Sequence, residues 1–383
     1  MTSTQSFKVM FSAGESSGDR HAAHMFLELK SLHPGIEGLG MGGAAMREAG
    51  IDIRFDSSNI GVIGVVEVLK HYREIRQALK QMQYLLVDER PDLLVCVDYK
   101  EFNFKLAKFA KSIGVKVLFY VSPQVWAWRP GRVKQYGRVI DRMAVIFPFE
   151  TAYYEAENVP VSYVGHPSID KVHPRYTKHE DLERFGLDVE RPVIGLVPGS
   201  RKQEIERLLP VMLDAASIVL FRVPGAQFIL PQAQSVSDEL LRSYLDRSEL
   251  AIKVIKNETY DAVQCCTAIM TSSGTATLEI ALLQVPMVIV YKLSELTYWL
   301  GRLLVKTPFI GLPNIVAGKA VVKELIQHEA NAKNIADEIV KLLSDRAYYD
   351  GVKSDLIGIK NTLGSGEGSK KMAILALEML TGK

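Results

Sequence analysis

An α/β protein of two doubly wound, Rossmann-like halves facing across a cleft is the architecture this sequence predicts, and three observations predict it. Short apolar runs of strand length alternate with amphipathic helical stretches through most of the chain, the rhythm of parallel α/β units. That rhythm lapses between Pro167 and Arg191, where His173, Pro174, Arg175, Tyr176 and scattered charges read as a linker. The length of 383 residues also exceeds what one hydrophobic core usually sustains. The expected layout is a first domain over 1–170, a linker over 171–190 and a second domain over 191–350. Terminal helices over 351–383 are expected to pack back on a first domain.

Composition narrows the function classes. A net charge of +2 gives no overall field of the kind that marks a nucleic-acid binder. Cys96, Cys265 and Cys266 cannot make a disulfide framework, and a reducing cytoplasm suits them. The first residues lack the charged start and long apolar run of a secretory signal. The longest apolar stretches, near Val117 to Trp128 and Ile280 to Tyr291, are interrupted by Pro123, Gln284 and Pro286, too soon for a bilayer span.

In the first half, the strand Phe7 to Ala13 runs into Gly14-Glu15-Ser16-Ser17-Gly18-Asp19, with a helix expected from about Gly18. Glycine lets backbone approach a ligand, and a helix start offers free amides to an anion or a sugar hydroxyl. This turn reads either as structure or as a ligand loop, and Glu15, Ser16, Ser17 and Asp19 favour the second. The run Gly38-Leu39-Gly40-Met41-Gly42-Gly43 matches the dinucleotide pattern only formally, because the first strand-helix turn is already taken by Gly14. Val65, Val66, Val68, Leu69 and Tyr72 wrap more than one narrow helical stripe and suggest an acyl or membrane face, repeated from Tyr298 to Lys306.

The strand Leu93 to Val97 delivers Asp98 just past its carboxyl end, before a helix expected from about Phe102. Asp98 could cap that helix, with Glu101 three residues on as its pair, or face a cleft as general base. Strands Val115 to Val121 and Met143 to Phe147 follow. Between them, the stretch from Tyr120 to Arg132 holds Ser122, Trp126, Trp128 and two prolines, and reads as a cleft-lining loop whose aromatic faces could stack on sugars. His166 closes the half, either touching substrate or filling a hinge.

In the second half, the strand Pro192 to Val197 ends in Pro198-Gly199-Ser200-Arg201. Gly199 permits a sharp turn, Ser200 is a natural cap, and Arg201 opposes the helix dipole unless an anion sits there. After strands at 227–231 and 252–254, the strand Ala268 to Thr271 ends in a hydroxyl-rich turn, Ser273-Gly274-Thr275, whose amides could cradle a diphosphate. Glu279, one helical turn beyond Thr275, could take a ribose diol. Gly311 to Lys319 has six residues between its glycines and Ala320 after its lysine, so the phosphate-loop reading fails. Neither an Asp-x-Asp pair nor clustered His and Cys ligands are present, so no metal cofactor is expected.

These motifs, in this order, resemble the lipid-A-disaccharide synthase family across nearly the whole chain. The likeness is carried by 13–19, Asp98 with Phe102-Asn103-Phe104, 120–128, Phe147-Pro148-Phe149-Glu150, 164–167, 198–201, 273–279 and Leu312-Pro313-Asn314. It implies a GT-B-like fold and an inverting transfer from UDP-2,3-diacylglucosamine to 2,3-diacylglucosamine 1-phosphate through a β-1,6 bond. By the same likeness Asp98 is the base, while Arg201, Ser273, Gly274, Thr275, Glu279 and Asn314 lie on the nucleotide side. Glu101 stands where the family often has aspartate. The resemblance also implies lipid-linked substrates, peripheral work at the cytoplasmic face of the inner membrane without a metal, and a homodimer with exchanged C-terminal segments. A UDP-GlcNAc 2-epimerase or a peptidoglycan GlcNAc transferase would share the nucleotide half. A non-catalytic nucleotide-sugar binder is the alternative from another class.

Overall fold

The structure, a computed structural model, describes residues 6–57, 72–128, 130–293 and 307–382. It divides into two compact units, one of residues 1–167 with 366–383 and the other of residues 168–365.

The first unit is built on a seven-stranded parallel sheet of order β3-β2-β1-β4-β5-β6-β7. Its strands are β1 (Phe7–Ala13), β2 (Ile36–Gly42), β3 (Asp52–Asp56), β4 (Leu93–Val97), β5 (Lys116–Tyr120), β6 (Arg142–Val145) and β7 (Val161–Tyr163). Every residue of β4 is buried, as a parallel strand covered on both faces requires. Helices α1 (Ser16–Leu32) and α2 (Ala44–Glu48) precede β3, and α3 (Tyr72–Glu89) and α4 (Lys100–Ser112) flank β4. On one face, Met10, Leu94, Cys96 and Phe119 meet Ala78 and Met82 of α3 and Leu106 of α4. On the other, Val9, Phe11, Val95 and Val97 meet Met25, Phe26 and Leu29 of α1 together with Met372, Ala373 and Ala376 of the terminal helix Gly368–Thr381. That helix thus packs on the first unit of its own chain.

The glycines of β2 are packing devices. A Cβ on Gly38 would stand 2.6 Å from Cε2 of Phe26, and one on Gly40, at φ +142°, would overlap the carbonyl oxygen of Phe11. Their spacing follows the neighbours they admit.

The second unit carries a six-stranded parallel sheet of order β10-β9-β8-β11-β12-β13. Its strands are β8 (Val193–Val197), β9 (Gln227–Gln232), β10 (Ile252–Lys256), β11 (Ala268–Ser272), β12 (Met287–Tyr291) and β13 (Lys323–Ile326). The stretch expected as a linker is in fact a folded part of this unit. Helix α5 (Lys178–Arg184) opens with a Thr177/Glu180 capping box, and the Arg175 guanidinium pairs with Asp261 at 2.8 Å and Glu258 at 3.0 Å. Charges that read as solvated linker are paired inside the unit, Arg175 and Arg184 both reaching Glu258.

Helices α6 (Lys202–Arg222), α7 (Thr275–Leu282), α8 (Leu312–Ala317), α9 (Ala332–Ser344) and α10 (Arg346–Leu363) are among the helices of this unit. The sequence places the return to the first domain at residue 351, but α10 stays with the second unit, burying Val352, Leu356, Ile359 and Leu363 beside α7, α8 and α9. The return comes after Gly364, which ends α10 at φ +82°.

No described helix is long and apolar enough to cross a membrane. Val65, Val66, Val68 and Leu69, the Tyr72 side chain and the segment from Tyr298 to Lys306 lie outside the described residues.

Candidate functional site

In the first unit the order of strands reverses between β1 and β4, and open parallel sheets bind ligands at the carboxyl ends of the strands flanking such a switch. Ala13 of β1 pairs with Val97 of β4, so Gly14-Glu15 and Asp98-Tyr99 leave the sheet side by side. Helix α1 begins at Ser16, two residues earlier than expected, with Glu15 as its cap residue and no side-chain cap bond. Its first-turn amides therefore face the switch without helical acceptors. Gly14 is buried, Glu15 and Ser17 are half-buried and Ser16 is exposed. Asp19 plays a different part from the one expected. Its carboxylate accepts the amides of Gly43 at 2.7 Å, Ala45 at 3.0 Å and Met46 at 3.2 Å, so it caps α2. Gly43 admits it, since a Cβ there would stand 2.9 Å from Asp19 Oδ2.

Asp98 and Tyr99 both lie in the left-handed region, at φ +47° and +44°, an uncommon conformation for two successive residues with side chains. Helix α4 starts at Lys100 with Tyr99 in the cap position. Asp98 is therefore not the cap, and Glu101 is not its partner: Glu101 is exposed and pairs with Arg132 at 2.6 Å. The half-buried Asp98 carboxyl is pushed up from the usual carboxylate range by burial, against the opposing pull of Lys100 and of the Tyr99 amide. Glu15 is raised by burial and by the Asp98 charge, with Lys100 again opposing. Two carboxylates and one lysine thus share this edge. A carboxylate raised by burial at the carboxyl edge of a parallel sheet is a candidate for general-base work.

The backbone behind Asp98 is held by Asn103, whose part in the sequence motif Phe102-Asn103-Phe104 gives no sign of this role. It is 0 % exposed, and its amide nitrogen approaches the carbonyls of Asp98 at 2.8 Å, Ser12 at 3.1 Å and Val97 at 3.2 Å. Its oxygen accepts from Ser12 Oγ at 2.6 Å.

Ser122 and Trp126 do not offer themselves to a sugar. Both are buried against Glu150, a 1 % exposed carboxylate that accepts from Trp126 Nε1 at 3.2 Å and from the Phe147 amide at 3.1 Å. Ser122 also shares a 2.9 Å hydrogen bond with Tyr154, and the Trp126 ring lies edge-on to Phe149. Burial lifts the Glu150 carboxyl to about 7, although hydrogen bonds to it from Phe147, Ser122 and Trp126 oppose the rise. His166 is buried, with its ring 4.9 Å from that of Phe147.

In the second unit the switch falls between β8 and β11, and both flanking strands end in helix starts. After β8, Arg201 rather than Ser200 takes the cap position of α6. Glu204 does the capping, accepting the amides of Ser200 at 2.9 Å and Arg201 at 3.2 Å, while Gly199 at φ +123° leaves the room a Cβ would take from it. Arg201 pairs with the same carboxylate at 3.0 Å, yet its side chain stays 67 % exposed. A cation at a helix start with half its fork still in solvent can meet an anion.

After β11, Ser273 Oγ donates to the Ile310 carbonyl at 3.1 Å, which ties the turn to the loop before α8. Gly274 caps α7, Gly274 and Thr275 are exposed, and the space beside Gly274 is open. The half-buried Glu279 is raised by burial, with a hydrogen bond from Tyr260 and the charge of Lys171 opposing. Asn314 departs from the ligand role expected of it. Its amide donates to Val322 O at 2.9 Å and Glu324 Oε1 at 2.7 Å, and its oxygen accepts from the amides of Val321 and Val322. At 1 % exposure with all four positions filled, it has none left for a ligand. Glu324, in turn, accepts the amides of Ile310 and Gly311, each at 2.9 Å. Among the described residues, no group of three or more His, Cys, Asp or Glu side chains could hold a metal ion.

A family model described as lipid-A-disaccharide synthetase matches residues 9–374. The chain is 49 % identical over 380 residues to the lipid-A-disaccharide synthase of Geobacter sulfurreducens, covering 99 % of each chain. It is 46 % identical over 371 residues to that of Nitrosococcus oceani, covering 97 % of this chain and 96 % of the relative. Among solved structures, a putative UDP-N-acetylglucosamine 2-epimerase from Listeria monocytogenes superposes with a TM-score of 0.66 at 14 % identity, over 99 % of this chain and 98 % of that one. At that identity the likeness shows the fold alone, the GT-B-like pair of parallel-sheet α/β units.

Proposed function

The chain belongs to the lipid-A-disaccharide synthetase family, and from that premise we propose how its two units divide the work of glycosyl transfer. The reaction joins UDP-2,3-diacylglucosamine to 2,3-diacylglucosamine 1-phosphate by a β-1,6 bond and releases UDP. Asp98 takes the proton of the acceptor 6-hydroxyl as that oxygen attacks the donor anomeric carbon, inverting α to β in one displacement with oxocarbenium character. Glu15, Ser16, Ser17 and the amides at the start of α1 line the same sheet edge and offer hydrogen bonds to sugar hydroxyls. Gly14, Asp19, Ser122 and Trp126 shape that edge from behind.

In the second unit, Arg201 and the first amides of α7 at Gly274-Thr275 receive the diphosphate, and Glu279 accepts from the ribose diol. The charge that builds on departing UDP is then met by a guanidinium and a helix terminus, with no divalent ion required. Gly199 and Ser200 form the turn that presents Arg201. Asn314 acts at one remove, through Glu324 and the loop that Ser273 grips.

The observation that carries the reading is the full-length family match, inside which a half-buried carboxylate stands at one switch point and an exposed arginine at the other. The test is UDP release with both acylated sugars, by the unaltered chain and by Asp98→Ala, with and without EDTA. Asp98→Ala is expected to keep its fold and UDP affinity while losing roughly a hundredfold or more in turnover. Near-normal turnover would remove Asp98 from the reaction, and loss of wild-type activity on chelation would remove the metal-free step.

Two further parts of the reading rest on the substrates and the family. Acylated sugars place the work at the cytoplasmic face of the inner membrane, as a peripheral protein, which flotation with liposomes tests. A homodimer with exchanged C-terminal segments is supported by the apolar stripe of Gly368–Thr381, which could seat on an identical α1, and sedimentation velocity tests it.

A further inference from the structure

We propose that Asn103 is a positioning residue for the transfer, fixing the direction of the Asp98 carboxylate by holding the backbone on which it stands. The inference rests on the reading of Asp98 as the base.

Three carbonyls converge on one amide. Those of Val97 and Asp98 come at the end of β4, where the strand leaves its ladder, and that of Ser12 comes from the neighbouring strand β1. An amide has two N–H groups, so the three contacts at 2.8, 3.1 and 3.2 Å include a shared one, and the shortest goes to Asp98. The Ser12 hydroxyl, donating at 2.6 Å to the other end of the amide, fixes which way it faces.

The strain lies at the same place. Asp98 and Tyr99 sit at φ +47° and +44°, and left-handed residues with side chains persist only where surrounding structure over-determines them. Tyr99 gives its carbonyl to the Asn103 amide at 3.0 Å as the first bond of α4, while the Asp98 carbonyl lies outside the helix and is taken by the Asn103 side chain. One residue therefore grips both members of the strained pair, by main chain on one and by side chain on the other. With that grip gone, the pair can relax toward right-handed torsions and swing the carboxylate off the edge where it stands beside Glu15 and Lys100. Displacements of about 1 Å at a reacting group cost on the order of a hundredfold in rate.

A residue that merely stabilises the fold would lower the melting temperature and leave the turnover of folded molecules unchanged. A positioning residue lowers kcat with little change in KM, shifts the acidic limb of the pH-rate profile, and loses its effect once the group it positions is gone. The experiment measures kcat, KM for both sugars, the pH-rate profile and the melting temperature for Asn103→Ser, Ser12→Ala, Asp98→Asn and the double variant Asn103→Ser/Asp98→Asn. Ser12→Ala removes one hydrogen bond and keeps the arrangement testable if Asn103→Ser does not fold.

The expected result is a roughly ten- to hundredfold fall in kcat for Asn103→Ser, a smaller fall for Ser12→Ala, a moved acidic limb in both, and no further loss when Asn103→Ser is added to Asp98→Asn. Wild-type kcat and profile in the folded single variants would overturn the inference. An equal proportional loss in the Asp98→Asn background would overturn it as well. Wild-type turnover in Asp98→Asn itself would instead strike the reading of Asp98 as base, which is a separately visible outcome.

Discussion

Gly14 lies flat against the ring of Tyr99: a Cβ added to Gly14 would overlap Cδ1 and Cγ of that ring. The glycine just past β1 is therefore required by Tyr99, the residue that follows Asp98 beyond the end of β4. Gly14→Ala must push the ring aside, and with it the left-handed pair. We expect this variant to fold and to bind UDP as the parent does, while kcat falls at least tenfold, read by steady-state kinetics beside UDP calorimetry.

Lys100 lowers both Asp98 and Glu15 toward their ionised forms. Burial has raised Asp98, so the rate should climb with pH as its carboxyl deprotonates and then level off. Lys100→Met removes a lowering influence, so the acidic limb should move to higher pH with the plateau kept. A limb that stayed in place would mean that another group governs it.

Glu150 gives a stability prediction with the opposite sign to that of most carboxylates. Its folded value of about 7 stands above the ordinary 4.5, so the native state holds a proton that the unfolded chain has given up. Its contribution is complete below about 4.5 and is lost as pH rises through about 7. The melting temperature should fall across that window, and Glu150→Gln should flatten the slope. An unchanged slope in the variant would rule Glu150 out as its source.

Asp19→Ala leaves the amides of Gly43, Ala45 and Met46 without their acceptor. Loss of a cap of this kind costs about 1–2 kcal/mol, and denaturant titration should show it as a lower midpoint. KM for both sugars should stay within about twofold if Asp19 only caps α2. A large rise in KM would return it to the ligand loop.

Arg201 and Glu204 separate binding from capping. Arg201→Ala should weaken UDP binding by roughly tenfold or more, the scale of a lost charge-assisted hydrogen bond, with the fold intact. Glu204→Gln keeps an acceptor for the amides of Ser200 and Arg201 but no longer neutralises the guanidinium, and is expected to tighten UDP. Both are read by calorimetry on the full chain.

Much of this was legible in the sequence because parallel sheets write themselves plainly. Continuous apolar runs such as Leu93 to Val97 mark buried strands, and the small residues after them mark the turns that open toward a ligand. Less legible were interactions that close over a distance in sequence. Asp19 reads as a ligand group because the donors to its carboxylate, the amides of Gly43, Ala45 and Met46, lie more than twenty residues away. Asn314 misled in the same way, for nothing in Leu312-Pro313-Asn314 announces Glu324. Ser122 and Trp126 gave a real signal, since an indole and a hydroxyl in an apolar loop require a partner, and that partner was the Glu150 of a motif already noted. The linker failed for a simpler reason: charges paired inside a unit read the same, one by one, as charges in water.

The terminal helix bears on how the molecule comes off the ribosome. The faces of α1 and β4 that it packs on are made before residues 168–365, and its own residues after them. All of residues 168–365 must be synthesised in between, roughly ten to forty seconds at ordinary elongation rates. The second unit has every residue it needs only when that interval ends, and throughout it Val9, Phe11, Met25 and Phe26 lack their final cover. The apolar surface of the first unit is then a natural substrate for a chaperone, and truncations that end before Gly368 should be held by one longer than the full chain is.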